Sequence, residues 1–312
     1  MEHHPFPGVL LTMTLLAFFL ILLSVFLHVT WNLLSKKVAP SLSFYVLMSY
    51  TAALIWLPFF LCSDLRFAQL PPRFFAMLAG SICGEVIYMI GLGRAYRKGD
   101  ISLVYPVVRA LPVMMIAVLT LALGIGKPFG GLALGGMVLI TLGCFLMPLR
   151  GIGGTSFRSL CRGPVLFFIL LSASGTTMYT IFDKCALEIV AAAKGGCTWL
   201  DAVSYLFCVE LSQATVEFCF VLADRRDRRI FKRLAGRSIY PSLAGCCSTS
   251  AYALILMAMR YVTNVSYLQA FRQISLPLGF LAGVVLLREK ALPVRIVGLV
   301  FILVGLVIVA LG

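Results

Sequence analysis

Two arginines, 163 positions apart, lie inside long apolar stretches of this sequence. Arg109 lies in a run that begins at Ile101, and Arg272 lies in one that begins at Val265. A guanidinium group stays protonated in proteins, and its planar fork pairs with both oxygens of a carboxylate or phosphonate. We therefore expect the two arginines to bind an anionic group.

Carboxylic acids lie in apolar stretches of the same kind and leave two interpretations open. Glu85 and Glu210 either pair with the arginines and lock helices together, or border a cavity where the arginines bind substrate. Both interpretations hold if such an ion pair opens to admit the substrate. Glu210 is also a candidate carrier of a coupling proton. Glu217 is nearer the end of its stretch, where we expect it to meet lipid headgroups.

Smaller polar side chains recur at helical spacing near these charges. One such stripe ends at Asp183, and its members are Ser172, Thr176, Tyr179, Thr180 and Asp183. His28 and Asn32 form a similar stripe in the first apolar stretch, and Tyr105 lies one turn before Arg109. We expect these groups to line a substrate path, and hydrogen bonding between helices is the alternative.

The elements that must hold these residues are membrane-spanning helices. Of the 312 residues, 61% are hydrophobic and only 12% are charged, whereas about a quarter of the residues of soluble domains are charged. A helix needs about 20 apolar residues to cross the hydrocarbon core. Windows of that length predict ten spans, at residues 8–34, 43–62, 74–96, 101–123, 130–149, 164–182, 199–223, 239–260, 265–287 and 293–312.

Basic residues are divided unevenly between the predicted loops. Loops after odd-numbered spans hold eighteen lysines and arginines, and loops after even-numbered spans hold six. The positive-inside rule then places the odd loops in the cytoplasm and both termini outside it. Seven of the eighteen lie in DRRDRRIFKRLAGR, residues 224–237. Setting topology is one interpretation of this segment, and binding of anionic lipid headgroups is the other.

The second half of the chain repeats features of the first. The offset that superposes the two arginines also superposes Arg97 on Arg260. We therefore predict two five-helix repeats, residues 1–150 and 151–312. Because five is odd, the second repeat enters the membrane from the opposite side, and inverted repeats of this kind are typical of transporters with a site near the bilayer midplane.

Prolines and glycines add local expectations. Pro106, Pro112 and Pro277 interrupt the two arginine-bearing stretches and indicate kinks whose freed carbonyls can face a cavity. The spacings Gly131-x3-Gly135 and Gly279-x3-Gly283 predict close helix packing.

Several segments resemble the EamA branch of the drug/metabolite transporter superfamily. AYRKGDISLVYPVVRALP (95–112) is similar to its central motif, and HVTWNLLSKK (28–37) resembles the end of its first span. YTIFDK (179–184), VSYLQAFRQIS (265–275) and LLREKAL (286–292) are similar to its sixth span, its ninth span and the turn that follows. The resemblance covers nearly the whole chain and implies two inverted five-helix repeats that carry small metabolites.

The chain departs from the family pattern in places. Gln273 stands where an acidic residue often follows the ninth-span arginine, and GIGK (124–127) lacks the acid of the family's glycine–glutamate turn. Family members are often drawn with cytoplasmic termini, in contrast to the charge distribution here. The candidate substrate-binding residues are Arg109, Arg272, Tyr105, Glu85, Glu210, Tyr179, Asp183, His28, Asn32 and Gln273.

A secondary transporter of the bacterial cytoplasmic (inner) membrane is the function we expect, as a monomer or homodimer that moves a small anionic or zwitterionic metabolite by alternating access. The alternative is proton-coupled efflux of cationic or amphipathic compounds through Glu85 and Glu210. The sequence has no His-Glu-x-x-His, paired-aspartate motif or nucleophile elbow, which argues against an enzyme. We expect no metal or other cofactor, since the cysteines lack metal-binding spacing, and no nucleic-acid binding, since the cations are spread between apolar spans.

Overall fold

The structure, a computed structural model, describes residues 14–35, 38, 41–99, 101–149, 164–287 and 292–312. Within these ranges the chain is helical and contains no β-strand. The α-helices are α1 (Leu15–Ser35), α2 (Leu42–Leu61), α3 (Pro72–Lys98), α4 (Ile101–Leu123), α5 (Gly131–Leu146), α6 (Pro164–Lys194), α7 (Trp199–Ala223), α8 (Arg225–Leu234), α9 (Tyr240–Met259), α10 (Val265–Phe271), α11 (Ser275–Leu287) and α12 (Pro293–Leu311).

Eight of the described helices are long and apolar enough to cross a membrane: α1, α2, α3, α4, α6, α7, α9 and α12. The chain is therefore an all-helical, polytopic membrane protein. Two predicted spans look different from the rest. The fifth is the apolar helix α5, with only 16 residues, and the ninth is divided into α10, a 3-10 turn at Arg272–Ile274 and α11.

The sixth predicted span is longer than expected. We predicted that it ends at residue 182, but α6 continues to Lys194. Asp183, Lys184 and Cys185 therefore lie inside a helix rather than at its end or in a loop. Lys184 is buried and donates a hydrogen bond to the main-chain oxygen of Met259, 2.8 Å away, at the end of α9. The predicted boundary between repeats, at residue 150, lies outside the described residues.

Polar side chains define several helix starts. The Ser41 hydroxyl accepts a hydrogen bond from the main-chain N–H of Phe44, and Thr198 and Asp201 form a capping box at the start of α7. Such caps satisfy main-chain donors that have no partner within the helix.

A small ionic cluster joins the connection between α6 and α7 to the loop after α2. Nζ of Lys194 lies 2.6 Å from Oδ1 of Asp201 and 2.8 Å from Oδ1 of Asp64. The hydrogen bond from Lys194 lowers the pKa of Asp64. Asp201 is buried whereas Asp64 is exposed, so Lys194 connects a solvent-facing loop to the helix cap.

Helices pack most extensively in four pairs: α3 with α6, α5 with α12, α1 with α9, and α2 with α7. Glycines make the α5–α12 contact possible. A Cβ atom added to Gly136 would lie 2.7 Å from the carbonyl oxygen of Gly305, and one added to Gly143 would lie 2.6 Å from that of Gly298. Gly136 and Gly143 are seven residues apart on α5, and Gly298 and Gly305 are seven residues apart on α12. The two glycines of each helix therefore lie on the same face.

The predicted glycine contacts were wrong. A Cβ atom added to Gly131, Gly135 or Gly279 would have no other atom within 4 Å. Gly283 lies within α11, and its surroundings are not among the features that the structure describes. Gly135 precedes Gly136 by one residue, which turns it about 100° around the helix axis and away from α12. Spacing alone identified a helix rich in glycine but did not identify the face that packs.

We predict that Gly136→Val destabilises the protein and that Gly135→Val has little effect. Both substitutions place the same β-branched residue in α5, but only the first forces a side chain into the backbone of α12. Overpacking of this kind typically costs about 1–3 kcal/mol. Melting temperatures of the two purified variants in detergent test the difference. Equal destabilisation by both would contradict the packing described here.

Candidate functional site

The ninth predicted span tightens into a 3-10 turn at its arginine. Helix α10 ends at Phe271, and α11 begins at Ser275 after the 3-10 turn. Pro277 follows closely, and proline lacks the N–H that a regular helix uses. The main-chain oxygen of Arg272 accepts from the N–H of Ser275, and a carbonyl oxygen has a second lone pair for a further donor group.

Arg109 provides such a group. Its Nη2 atom donates hydrogen bonds to the main-chain oxygen of Arg272, 2.9 Å away, and to Oγ of Ser275, 3.0 Å away. The hydroxyl of Ser275 also donates to the Arg272 oxygen. The two arginines that the sequence aligns are therefore in direct contact, and the side chain of one stabilises the backbone turn that carries the other.

A cavity of about 50 Å³ lies between the helices and includes Arg272 in its lining. Its walls come from α1, α2, α3, α6, α7 and α9, together with Arg272. The polar side chains in its lining are Ser24, His28, Ser49, Glu85, Tyr88, Tyr179, Glu210, Gln213, Ser248, Tyr252 and Arg272. This volume is enough for a few water molecules.

The cavity lining contains charged groups of both signs. Arg272 is only 7% exposed, and its guanidinium lies 5.8 Å from the centre of the Tyr252 ring and donates to Oε1 of Gln269 at 3.3 Å. Glu85 and Glu210 belong to the same lining. In the part of the chain that the structure describes, neither Arg109 nor Arg272 forms an ion pair with a carboxylate. The locking Arg–Glu pair considered from the sequence is therefore not found among these residues.

His28 adds a buried hydrogen-bond donor. The indole Nε1 of Trp31 donates to Nδ1 of His28 at 3.0 Å, so the neutral imidazole carries its proton on Nε2. That Nε2 atom is buried and has no hydrogen-bond partner among the described residues. An unpaired buried donor beside a cavity costs free energy, which a polar ligand in the cavity would recover.

Asp183 lies at the centre of a hydrogen-bonded cluster that joins four helices. Its carboxylate accepts hydrogen bonds from the hydroxyls of Ser81 on α3, Tyr205 on α7 and Tyr252 on α9. Asp183 itself is fully buried and is not part of the cavity lining. Because Tyr252 also contacts Arg272, the cluster holds one wall of the cavity in place.

The prediction for Glu217 was wrong. Rather than meeting headgroups, Glu217 is fully buried, and its Oε1 accepts a hydrogen bond from Nε2 of Gln213 at 3.1 Å. Glu210, Gln213 and Glu217 follow one another at helical spacing on α7, so they share a face that begins at the cavity. The second carboxylate oxygen of Glu217 has no hydrogen-bond partner in the described residues.

The structure brings together half of the predicted binding residues. His28, Glu85, Tyr179, Glu210 and Arg272 line the cavity, and Arg109, Tyr105, Asn32, Asp183 and Gln273 do not.

Local packing explains where the other five lie. The Asn32 amide donates to the main-chain oxygen of its own helix at His28, and the Gln273 amide donates to that of Gln269. Tyr105 packs against the hydrophobic core. Arg109 and Asp183 take part in the hydrogen bonds described above.

Most of the polar stripe on α6 packs against α3. A Cβ atom added to Gly84 would lie 2.7 Å from the main-chain nitrogen of Tyr179, and one added to Gly91 would lie 2.7 Å from that of Ser172. The hydroxyl of Ser172 donates across this contact to the main-chain oxygen of Tyr88. Of the stripe, only Tyr179 reaches the cavity lining. Bonding between helices, the alternative considered above, is found for Ser172 and Asp183, whereas the buried hydroxyl of Thr180 has no hydrogen-bond partner among the described residues.

Sequence reasoning did not identify Tyr88, Tyr252 or Gln213 as part of the site. Each comes from a different helix, and none has a charge or motif that distinguishes it from a packed polar residue. The spacing of Gln213 from Glu210 was the one available signal, because it places both side chains on one face of α7.

Comparison with known proteins gives the fold but no function. No family model matches the chain, and no curated protein matches it. One solved crystal structure, described only as that of a protein, aligns with 94% of this chain and 95% of its own length, at a TM-score of 0.66 and 14% sequence identity. At this identity the similarity concerns the fold alone.

We predict that Asp183→Asn destabilises the protein and that Glu188→Gln does not. An asparagine side chain keeps one acceptor oxygen but presents an NH2 group to the hydroxyls that now donate to Asp183. Loss of buried hydrogen bonds to a charged group is expected to cost about 3 kcal/mol or more. Glu188 is on the same helix, its side chain is 54% exposed, and its (i, i+4) ion pair with Lys184 at 3.3 Å is of a kind that contributes little to stability. Thermal melting of both variants measures the difference, and a neutral Asp183→Asn would show that the cluster contributes little.

Proposed function

We propose that this protein is a secondary transporter that moves a small zwitterionic or anionic metabolite by alternating access. The observation that carries the proposal is the composition of the cavity, whose lining contains one arginine and two glutamates. Intramembrane ionisable residues are costly, and in transporters they mark the path of substrates and protons. A helix with a purely structural role would need none of these ionisable residues.

The arrangement of charges favours a substrate with both signs. Arg272 supplies a planar cation for a carboxylate or phosphonate, and Glu85 and Glu210 supply acceptors for an ammonium group. The unpaired Nε2–H of His28 is a further donor for the anionic end. The guanidinium of Arg109, in contrast, already donates to the main-chain oxygen of Arg272. We therefore assign substrate binding to Arg272 and a positioning role to Arg109.

A ten-span architecture of two inverted repeats, residues 1–150 and 151–312, is part of the same proposal. In the numbering of the predicted spans, the four most extensive contacts join three with six, five with ten, one with eight, and two with seven. Exchanging each span for the one five places away turns the first pair into the third and leaves the second and fourth unchanged. Together with the motif resemblance, this supports membership of the EamA branch.

The size of the cavity and the 3-10 turn beside it support alternating access. A cavity of about 50 Å³ is too small for most metabolites, so its walls must separate to admit one. A stretch of 3-10 geometry within a helix is often a hinge. We place the protein in a bacterial cytoplasmic membrane, as a monomer or homodimer. The charge distribution favours termini outside the cytoplasm, and the family resemblance favours the opposite orientation.

A second candidate function is proton-coupled efflux of cationic or amphipathic compounds. The observation that favours it is the excess of acids, because Glu85 and Glu210 face the cavity with only Arg272 as a cation. In this case the glutamates would bind the substrate or the coupling proton in turn.

Ligand-dependent thermal stabilisation distinguishes these functions. Acetate and methylphosphonate test anions, glycine and aminomethylphosphonate test zwitterions, and tetramethylammonium tests cations. A ligand that binds the folded state raises the melting temperature. We expect the zwitterions to stabilise wild type most. Arg272→Gln is expected to abolish the shift, whereas Arg109→Gln, although less stable when empty, is expected to keep it.

Other outcomes would change the assignment. Equal loss of the shift in both arginine variants, with both still folded, would make Arg109 a second ligand to the substrate. Stabilisation by tetramethylammonium alone, lost in Glu210→Gln, would favour cation efflux. If none of the five compounds stabilised wild type, the proposal of a small zwitterionic or anionic substrate would be contradicted.

A further inference from the structure

The basic segment between α7 and α9 forms an ordered amphipathic helix, whereas the sequence alone predicted a loop. Asp224 begins α8 by accepting a hydrogen bond from the main-chain N–H of Arg226 at 2.7 Å. A carboxylate at this position also interacts favourably with the positive end of the helix dipole. The helix Arg225–Leu234 thus has a defined start and a fixed orientation of its faces.

One face of α8 is attached to the membrane-spanning helices. Leu234 is buried, and the Phe231 ring lies 5.1 Å from the ring of Phe218 on α7. The hydroxyl of Ser43 on α2 donates to the main-chain oxygen of Asp227 at 2.7 Å. These contacts hold α8 against α2 and α7 rather than leaving it as a mobile connection.

The other face of α8 is strongly basic. All the lysines and arginines of the segment are exposed: Arg225, Arg226, Arg228, Arg229, Lys232, Arg233 and Arg237. Within the described ranges none of them forms an ion pair. The only acids nearby in the sequence are Asp224, which caps the helix, and Asp227, which is buried.

The basic face lies where the apolar surface of the protein ends. Helix α7 finishes immediately before α8 with the exposed side chains of Phe220 and Leu222. Helix α9 begins shortly after it with Ile239 and Tyr240, also exposed. Because α7 and α9 both have the length and composition of membrane spans, α8 is at the depth of the lipid headgroups.

We propose that the exposed face of α8 binds the phosphate groups of anionic phospholipids. Clusters of four to eight basic residues next to a membrane span attract anionic headgroups, and arginine forks pair bidentately with phosphate. Setting the orientation of the chain in the membrane requires only that positive charges lie in this segment. Here the charges also lie together on one side of an ordered helix. The helices that hold α8 also contribute Ser49 and Glu210 to the cavity, so bound lipid stabilises two of its walls.

The test compares lipids that differ only in the headgroup. The full chain, purified in detergent, is titrated with phosphatidylglycerol or with phosphatidylcholine of the same acyl chains, and the melting temperature is recorded. We expect phosphatidylglycerol to stabilise wild type more than phosphatidylcholine does, and we expect added salt to weaken this preference. The result does not depend on the proposed transport function, because the test uses no substrate.

The variant R225Q/R226Q/R228Q/R229Q should weaken the apparent affinity for phosphatidylglycerol about tenfold or more. Its matched control is R66Q/R73Q/K127Q/R260Q, which removes the same charge from exposed residues elsewhere in the chain and should leave the affinity unchanged. If the first variant does not fold, the pairs R225Q/R226Q and R228Q/R229Q, compared with R66Q/R73Q, carry the test.

Three results would overturn the proposal. Equal stabilisation of wild type by the two lipids would show that the headgroup charge is not recognised. Equal losses in the α8 variant and the matched control would show a general effect of net charge. The same stabilisation by inorganic phosphate alone would show a site for soluble anions instead of a lipid surface.

Discussion

The hydrogen bond from Arg109 to the main-chain oxygen of Arg272 is the interaction on which the site depends. The main-chain oxygen of Arg272 lies in a 3-10 turn, where hydrogen-bond geometry is poorer than in an α-helix, and lipid offers no donor to improve it. A guanidinium from another helix supplies a charged donor at that point. The turn at Arg272 can then persist, and the side chain of Arg272 is free to line the cavity. The guanidinium of Arg109 therefore bonds to the backbone, whereas that of Arg272 lines the cavity.

The remaining polar contacts serve the same purpose of fixing the cavity walls. Asp183 collects hydroxyl donors from three other helices, and one of these donors, Tyr252, lies against Arg272. The glycines of α3 and α5 bring neighbouring helices close enough for backbone contact, and in a membrane such packing replaces the hydrophobic driving force between helices. Glu85 and Glu210 lie in the cavity lining and form no ion pair among the described residues.

Sequence reasoning predicted the membrane class and most helix positions, because a run of about 20 apolar residues has few alternatives to a span. It failed where the outcome depends on a neighbour. The extension of α6 beyond residue 182 rests on the partners of Asp183 and Lys184 on other helices. Which glycines of α5 pack closely depends on the face that meets α12, and the spacing of small residues does not specify that face. Glu217 is buried by surrounding helices, although its position along α7 suggested the membrane surface.

The sequence by itself determined that the protein is helical and resides in a membrane, and it identified buried arginines and acids as the groups of interest. These conclusions follow from composition and from the cost of placing charge in hydrocarbon. Only the tertiary structure decided which of those groups share a cavity. Arg109 and Arg272 carry the same side chain in apolar segments, but Arg109 bonds to the main-chain oxygen of Arg272 and Arg272 lines the cavity. That distinction arises from contacts between helices that are far apart in the chain, and no local pattern encodes it.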